Sequence, residues 1–303
     1  MNGNLTVKIG NMNLKNPIIP ASGTFGFGKE YEDFLDINAL GAFVTKGLTL
    51  KGKYGNKLPR IAETQGGMLN SIGLENPGVE RFVEEIYPTI KHYDTCIIAN
   101  ISGNTIEEYG QIASLLKGTV DGIEINVSCP NVKMGGMHFG TDAKQVSEIT
   151  SLVKKAFGET VILKLSPIAD VRAIAEAAEK SGADAISMIN TFPGLRIDTK
   201  NHRPILGNNF GGVSGPILKP MALKMVWEVY NQISIPIIGM GGIGELEDVL
   251  EFMIAGATAV SIGTMNLVQP DICQKLIAEL EQYALQKELK HINQLTGTLI
   301  LNS

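Results

Sequence analysis

A thiol at the end of a predicted strand is the most reactive group that this sequence offers. Residues 121–131 read DGIEINVSCPN, an apolar strand that runs directly into Cys129. Because side chains alternate along a strand, the isoleucines share one face while Glu124 and Asn126 share a polar one. Pro130 has no N–H group to continue a ladder, so the strand stops with the thiol at its rim. Burial as an apolar filler is the alternative for Cys129, but its setting favours chemistry.

Two lysines belong to other apolar strands. Lys46 ends the segment GAFVTKG, and Lys164 lies within VILKL. Burying an ammonium group costs free energy unless an anionic or electron-rich group meets it. A solvated lysine at the rim is the alternative, although lysine is almost never fully buried without a partner. The pair therefore indicates an anionic or electron-rich ligand.

Three asparagines end further predicted strands, namely Asn100, Asn126 and Asn190. An amide offers two donors and an acceptor, which suits a ligand with both kinds of group. Any one of the three could simply form a turn. Their convergence on one rim favours a binding site.

Glycine-rich turns follow the last two predicted strands. GMGGIG, residues 239–244, opens a helix, and Gly263-Thr264 forms a second such turn. Backbone N–H groups and the helix dipole at such a place can bind phosphate. One tight-turn glycine cluster alone would be weak evidence, and two adjacent ones favour a phosphate-bearing ligand.

The elements that position these residues alternate between strands and helices. Eight strand–helix units can be counted from residue 18 onward, including a helix predicted at 29–35. Such alternation implies a parallel sheet with right-handed crossovers. We predict an α/β fold, a closed (β/α)₈ TIM barrel. An open doubly wound sheet is the alternative, but its glycine-rich turn should follow the first strand.

Three segments fall outside this alternation. Residues 5–16 predict an N-terminal β-hairpin around Gly10-Asn11, which could cap the barrel. Residues 48–78 and 191–216 are connections far longer than usual, and we expect both to cover the C-terminal face of the barrel. Loops 130–140 and 191–216 are hypothesised to close over substrate. The whole chain, 1–303, is interpreted as a single domain.

Composition excludes several classes of protein. The 303 residues carry a net charge of −5 with a pI near 5.5, which argues against a nucleic-acid or anionic-membrane surface. No basic leader and no apolar run of spanning length occurs, so a cytoplasmic location is expected. Three cysteines and four dispersed histidines form no metal-ligand pattern, and no metal site is predicted. Cys96 and Cys273 are interpreted as core residues.

Seven motifs together resemble the dihydroorotate dehydrogenase family: NVSCPN, KLSP, NSIGLENPG, ASGTFG, TKG, GMGGIG and IGT. They occur in order over nearly the whole chain. The cysteine at position 129, where a serine is the alternative, resembles the class I enzymes of the family. The segment GLENPG resembles the sequence of the NAD-dependent subclass B catalytic subunit more than that of the fumarate-using subclass A.

The resemblance implies a bound FMN and assigns residues to it and to the substrate. The cofactor residues that it implies are Ser22, Lys46, Gly47, Asn100, Asn126, Lys164, Ile189, Gly215, Gly241, Gly242, Gly263 and Thr264. The substrate residues that it implies are Lys46, Asn70, Ser71, Ile72, Gly73, Leu74, Asn126, Asn190 and Thr191.

The reaction that the resemblance implies is oxidation of dihydroorotate to orotate in pyrimidine (UMP) synthesis. Cys129 would remove a proton from C5, and hydride would pass from C6 to the flavin, whose reduced form Lys164 could stabilise. The chain has no cysteine set for a cluster and no early dinucleotide motif. Electrons are therefore expected to reach NAD through a partner subunit with FAD and a [2Fe-2S] cluster, in a heterotetramer of two catalytic and two electron-transfer subunits.

Three rival hypotheses stay open at this stage. A flavin-dependent tRNA dihydrouridine synthase would pair a barrel FMN with a cysteine acid, although the acidic charge counts against RNA binding. A phosphate-binding isomerase or lyase would need no flavin. A non-catalytic barrel scaffold subunit would bind no substrate.

Overall fold

A computed structural model describes residues 4–127 and 139–302 of the chain. In chain order its strands are Val7–Ile9 (β1), Met12–Leu14 (β2), Ile18–Pro20 (β3), Ala42–Val44 (β4), Ile61–Thr64 (β5), Gly67–Asn70 (β6), Cys96–Ile101 (β7), Gly122–Asn126 (β8), Thr160–Lys164 (β9), Ala185–Met188 (β10), Phe192–Gly194 (β11), Ile197–Asp198 (β12), Arg203–Pro204 (β13), Gly211–Ser214 (β14), Ile237–Met240 (β15) and Ala259–Ile262 (β16).

Helices connect most of these strands. They are Val79–Arg81 (α1), Tyr87–Ile90 (α2), Ile106–Leu116 (α3), Ala143–Phe157 (α4), Val171–Lys180 (α5), Lys219–Tyr230 (α6), Leu246–Ala255 (α7), Met265–Val268 (α8) and Ile272–Gln286 (α9). A π-helical turn, Phe82–Ile86, joins α1 to α2 into one segment.

The central sheet has eight strands in the order β3-β16-β15-β10-β9-β8-β7-β4, and each hydrogen-bonded pair is parallel. β3 and β4, at the two ends of that order, lie beside each other and bring the sheet round into a barrel. The (β/α)₈ TIM barrel predicted from the alternation is confirmed. The main core lies where apolar strand residues meet the surrounding helices.

The N-terminal hairpin is also confirmed, and it closes the N-terminal end of the barrel. β1 pairs with β2 in antiparallel register, with Ile9 opposite Met12. The backbone N–H of Asn11 donates to Oγ1 of Thr160, the first residue of β9, at 2.9 Å. Gly10 has a φ of +55°, and a Cβ there would lie 2.7 Å from the Thr160 side chain. The turn therefore needs glycine both for its conformation and for its close approach.

The helix predicted at 29–35 is wrong. Only a single 3₁₀ turn, Lys29–Tyr31, forms there, with another at Ile37–Ala39. Tyr31 instead stacks on Phe25 with ring centroids 4.3 Å apart, and its hydroxyl donates to the carbonyl of Thr24. Tertiary packing of one aromatic ring thus overrides the local helix preference. The terminal helix α9 packs against β3.

The two long insertions meet in a second, smaller sheet. β5 and β6 come from the connection at 48–78, while β11 and β14 come from 191–216. They form an antiparallel sheet in the order β11-β14-β6-β5. A short hairpin, β12–β13, lies within the second insertion. Each insertion therefore orders the other.

The seam between β3 and β4 is held by one asparagine. Asn16 donates from Nδ2 to the carbonyl of Ala39 at 2.8 Å and accepts the N–H of Ile18 at 3.1 Å. Gly41 lies directly against it, because a Cβ at Gly41 would be 2.0 Å from the carbonyl oxygen of Asn16. No side chain fits there without moving the backbone.

We expect Gly41→Ala to lower the free energy of unfolding by about 3 kcal/mol, because the seam must open to accept a methyl group. Gly118→Ala is the matched control: its φ is +74°, but nothing lies within 4 Å of the added Cβ. That variant should lose only about 1 kcal/mol of conformational free energy. Urea unfolding of both proteins measures the difference, and equal losses would contradict this account of the seam.

Candidate functional site

Residues predicted for the site lie at the C-terminal ends of the barrel strands. Ser22 follows β3, Lys46 and Gly47 follow β4, Asn100 lies near the end of β7, Asn126 and Lys164 end β8 and β9, Ile189 and Asn190 follow β10, Gly241 and Gly242 follow β15, and Gly263 and Thr264 follow β16. All eight barrel strands thus contribute to one rim. Cys129 lies outside the described residues, so its assignment as the base stays a prediction.

A buried carboxylate links the rim residues of three strands. Glu124 on β8 accepts hydrogen bonds from Asn100 Nδ2 at 2.7 Å and from Lys164 Nζ at 3.2 Å, both at Oε1. Its Oε2 accepts from the hydroxyl of Ser187 on β10 at 2.7 Å. The exposed fraction of the side chain is 7% for Lys164 and 2% for Glu124. The anionic partner that Lys164 required is therefore supplied first by the protein itself.

The amide of Asn100 is oriented by this carboxylate. Glu124 can only accept hydrogen bonds when ionised, so the Nδ2 group of Asn100 must face it. The Oδ1 atom then points toward Gly47, where an added Cβ would lie only 2.8 Å away. Oδ1 is buried and accepts no hydrogen bond from the described residues. A ligand in the barrel mouth could donate a hydrogen bond to this oxygen.

Lys46 presents a second cation at the rim. It is partly buried, and its backbone N–H donates to the carbonyl of Gly26 at 2.8 Å. Its ammonium group forms no ion pair with residues 4–127 or 139–302, in contrast to Lys164. It is the cation that can meet an anionic ligand directly.

The substrate loop predicted at 70–74 is held from both sides by asparagines. Asn56 donates to Oγ of Ser71 at 2.9 Å, and its own N–H donates to the carbonyl of Ile72. Asn76 donates from Nδ2 to the carbonyl of Leu74 at 2.7 Å. Leu74 has a φ of +55°, a conformation that side-chain-bearing residues rarely adopt. The loop is thus a fixed shape, since its neighbours impose that conformation.

Two predicted substrate residues from distant segments meet across one glycine. Asn70 on β6 lies opposite Gly212 on β14 and donates to its carbonyl at 3.3 Å. A Cβ on Gly212 would lie 2.1 Å from Oγ1 of Thr191. Asn190 accepts the N–H of Thr191 at 2.8 Å through its Oδ1. The small sheet therefore brings the loop at 70–74 next to the end of β10.

The glycine turns leave a set of backbone donors free. Gly241 and Gly242 have φ values of +125° and +86°. In the described part of the chain, the N–H groups of these two residues, of Gly263 and of Thr264 donate to no backbone carbonyl. A Cβ at Gly263 would meet only Ala21, at 3.9 Å. Four N–H donors without a backbone acceptor among the described residues, with open space beside Gly263, suit a phosphate group.

One helix end predicted to hold phosphate is already occupied. Oδ2 of Asp248 accepts the N–H groups of Gly244 and Glu245 at 2.8 and 3.0 Å, which caps α7. Its Oδ1 accepts from Lys219 Nζ at 2.6 Å. The hydrogen bond from Lys219 to Asp248, and next the one from Lys219 to Glu251, raise the pKa of the Lys219 ammonium group. The N–H groups left available for a phosphate are therefore those of the glycines before Gly244, and not those at the start of α7.

Ser214 and Gly215 connect the second insertion to the turns predicted to bind phosphate. Oγ1 of Thr264 donates to Oγ of Ser214 at 2.8 Å. Gly215, predicted to contact the cofactor, has a φ of +106° and its carbonyl lies 3.1 Å from a Cβ added to Gly242. The predicted residues at 215, 242 and 264 are thus brought together.

The two described cysteines are poor candidates for a base. Burial raises the pKa of the Cys96 thiol to about 11, with a further contribution from Asp121. Burial also raises the pKa of Cys273, which is fully buried and donates to Oδ1 of Asn266. Both thiols stay protonated near neutral pH. Among the described residues no cluster of three His, Cys, Asp or Glu side chains could hold a metal ion.

A family model now decides between the interpretations that the sequence left open. Residues 4–284 match the model described as dihydroorotate dehydrogenase. The chain belongs to the dihydroorotate dehydrogenase family. The resemblance carried by the seven motifs is confirmed.

Members of this family in other organisms are similar over nearly their full length. The chain is 51% identical to a Thermoanaerobacter protein over 298 residues, and this alignment covers 98% of this chain and 99% of the relative. It is 48% identical over 300 residues to a Citrifermentans bemidjiense protein, covering 98% of each. A Geobacillus kaustophilus protein is 50% identical over 296 residues, or 97% and 95% of the two chains. All three relatives are named dihydroorotate dehydrogenase B (NAD(+)), catalytic subunit.

The dihydroorotate dehydrogenase family uses FMN, and the residues of this barrel mouth fit that group. FMN needs donors for a phosphate and polar partners for a ring that carries both donors and acceptors. The free N–H groups at the glycine turns meet the first need. The unsatisfied Oδ1 of Asn100 and the ammonium of Lys164 meet the second.

Sequence reasoning missed several residues that build this site. They are Glu124, Ser187, Asn56, Asn76, Ser214 and Asp248. Glu124 carried a usable signal, since a carboxylate inside an apolar strand needs a buried partner. The asparagines carried none, because their partners are set by the folding of a long insertion.

Asp248→Ala should lower the free energy of unfolding by about 2 kcal/mol through the lost cap and ion pair. Affinity for FMN should fall roughly tenfold or more, because the glycine turn loses the anchor of its last residue, Gly244. Glu251→Ala is the control: it removes the other carboxylate of Lys219, 2.7 Å away, without touching the cap. Thermal unfolding and flavin fluorescence titration measure both effects, and equal FMN affinity in the two variants would refute this role of Asp248.

Proposed function

We propose that this chain is the catalytic subunit of an NAD-linked dihydroorotate dehydrogenase, which oxidises dihydroorotate to orotate in pyrimidine synthesis. The observation that carries the proposal is full-length similarity to three proteins of that name. A rim with two lysines and several amides supports it, because dihydroorotate has a carboxylate and ring N–H and C=O edges for such groups to bind.

FMN is the cofactor proposed for the barrel mouth, within a single domain that spans residues 1–303. When bound, FMN would accept the hydride that leaves C6 of the substrate. The ammonium group of Lys164 and the Oδ1 atom of Asn100 would contact the flavin ring. The free N–H groups at residues 241, 242, 263 and 264 would bind the phosphate of FMN. The part of FMN between the ring and the phosphate would be lined by Ser22, Gly47, Ile189 and Gly215.

The substrate would lie between the flavin and the small antiparallel sheet. The loop at 70–74 and the pair Asn190 and Thr191 would present their amides and hydroxyls to its ring edges. Lys46 would meet its carboxylate. Asn126 would reach it from the end of β8, where the hydroxyl of Tyr109 donates to the Asn126 carbonyl at 2.9 Å.

Proton removal from C5 is assigned to Cys129, the thiol that follows β8. Cys129→Ala should retain FMN and bind orotate, but flavin reduction by dihydroorotate should slow by about 10² to 10⁴, the usual loss for a general base. Cys129→Ser should also be impaired at neutral pH, because a hydroxyl is a far weaker acid than a thiol. Stopped-flow spectroscopy measures the rate, and Cys96→Ala, at the first residue of β7 and so at the opposite end of the barrel from the rim, is the control. A rate of flavin reduction in Cys129→Ala close to that of wild type would refute the assignment.

Electrons are proposed to leave through a partner polypeptide with FAD and a [2Fe-2S] cluster, in a heterotetramer of two catalytic and two electron-transfer subunits. The described residues hold no metal-ligating cluster, and the names of the relatives contain both NAD(+) and catalytic subunit. No helix among the described residues is long and apolar enough to cross a membrane. A cytoplasmic location is proposed for the complex.

The purified chain alone should reduce its FMN with dihydroorotate but should not reduce NAD at a useful rate, because the route to NAD is proposed to lie on the partner polypeptide. Adding the partner subunit should restore NAD reduction, followed by NADH absorbance. Fumarate serves as the control acceptor. Rapid NAD reduction by the single chain would refute the partner, and rapid fumarate reduction would place the chain in subclass A.

A further inference from the structure

Glu124 is the most deeply buried charged group at the barrel mouth, and the proposed reaction does not use it. Its carboxylate accepts from three side chains on three different strands, which are Asn100, Lys164 and Ser187. Burying a carboxylate costs desolvation free energy, which its hydrogen bonds must offset. This cost suggests that the contacts also serve a function. Two of its three donors are residues proposed to touch FMN.

The contact with Asn100 decides which atom of the amide faces a ligand. If the amide turned over, its oxygen would face the carboxylate, and two acceptors would repel each other. Glu124 therefore fixes Nδ2 inward and leaves Oδ1 unsatisfied beside Gly47. A neutral glutamine in place of Glu124 could accept or donate, and this constraint would be lost.

The contact with Lys164 sets the charge that a flavin would experience. The Nζ to Oε1 distance of 3.2 Å makes an ion pair, and both side chains are shielded from water. At short range in a poorly solvated site, the field of one charge is strong. With the carboxylate present, the positive charge of Lys164 is largely balanced.

We propose that Glu124 is a positioning residue that holds Asn100 and Lys164 against FMN and sets the balance between its oxidised and reduced forms. The proposal rests on the proposed function, since it assumes that FMN binds here. Reduced FMN carries negative charge that the oxidised form lacks, so the net charge beside the ring decides which form binds more tightly. Glu124 limits how strongly Lys164 favours the reduced form.

The test compares the dissociation constants of oxidised and reduced FMN, and the midpoint potential, in wild type and Glu124→Gln. Removing the carboxylate charge leaves Lys164 unbalanced, so reduced FMN should gain at least about tenfold over oxidised FMN. For a two-electron couple this equals a midpoint potential about 30 mV more positive. Glu176→Gln is the matched control, because it removes the same charge from an exposed ion pair with Lys180 on α5.

A structural role for Glu124 would lower stability without changing that ratio. An unchanged ratio in a folded Glu124→Gln protein therefore overturns the inference while leaving FMN binding and the proposed function intact. Failure of wild type to bind FMN overturns both. Wild type and Glu176→Gln should have the same potential, and a shift in the control equal to that in Glu124→Gln also overturns the proposal.

A second pair of variants keeps the test decisive if Glu124→Gln does not fold. Lys164→Gln and the double variant Glu124→Gln/Lys164→Gln differ only in the carboxylate charge, and the double variant buries no unpaired ion. The double variant should show the more positive potential, again by about 30 mV or more. Identical potentials in the two proteins overturn the proposal.

Discussion

The requirement that buried polar groups find partners shapes this barrel mouth more than any other constraint. A parallel barrel buries its strands on both faces, yet four neighbouring strands carry Asn100, Glu124, Lys164 and Ser187 into the interior. These groups are tolerated because they satisfy one another. The one atom left over, Oδ1 of Asn100, points toward the mouth. The buried polar groups thus satisfy one another, and the acceptor that has no partner among the described residues lies where the proposed ligand would bind.

The rest of the architecture protects that arrangement. The N-terminal hairpin closes the opposite end of the barrel through the contact of Asn11 with Thr160. The small antiparallel sheet brings two insertions far apart in sequence into contact over the mouth, with Gly212 allowing Thr191 to approach. Asp248 caps α7 and holds Gly244, the last glycine of the turn proposed to bind phosphate. The small sheet and the Asp248 cap thus hold residues next to groups that are proposed to contact substrate or cofactor.

The sequence predicted the fold well because its signals were periodic and local. Eight apolar strands, the helices after all but the first of them, and the hairpin at Gly10-Asn11 follow from alternation and turn chemistry, and the structure confirms them. The helix expected at 29–35 failed because Tyr31 packs on Phe25, a contact that no local pattern reveals. Family membership was correctly inferred from seven motifs in order.

The site was predictable only in part, for a physical reason. Polar residues at strand ends can be placed on one rim once a parallel barrel is assumed, and Lys46, Asn100 and Lys164 do lie there. Which of them pair with each other cannot be read from spacing, because barrel neighbours are set by register across strands. The ion pair of Lys164 with Glu124, and the asparagine supports of the loop at 70–74, emerge only in three dimensions.

Anaerobic titration of the purified chain with dihydroorotate tests the central claim most directly, namely that this barrel mouth holds FMN and oxidises that substrate. The visible absorbance of oxidised flavin should disappear in proportion to added dihydroorotate, and the endpoint should equal the content of bound FMN. Orotate should form in the same amount. A purified chain without flavin absorbance, or a bound flavin that dihydroorotate leaves oxidised, would contradict the account.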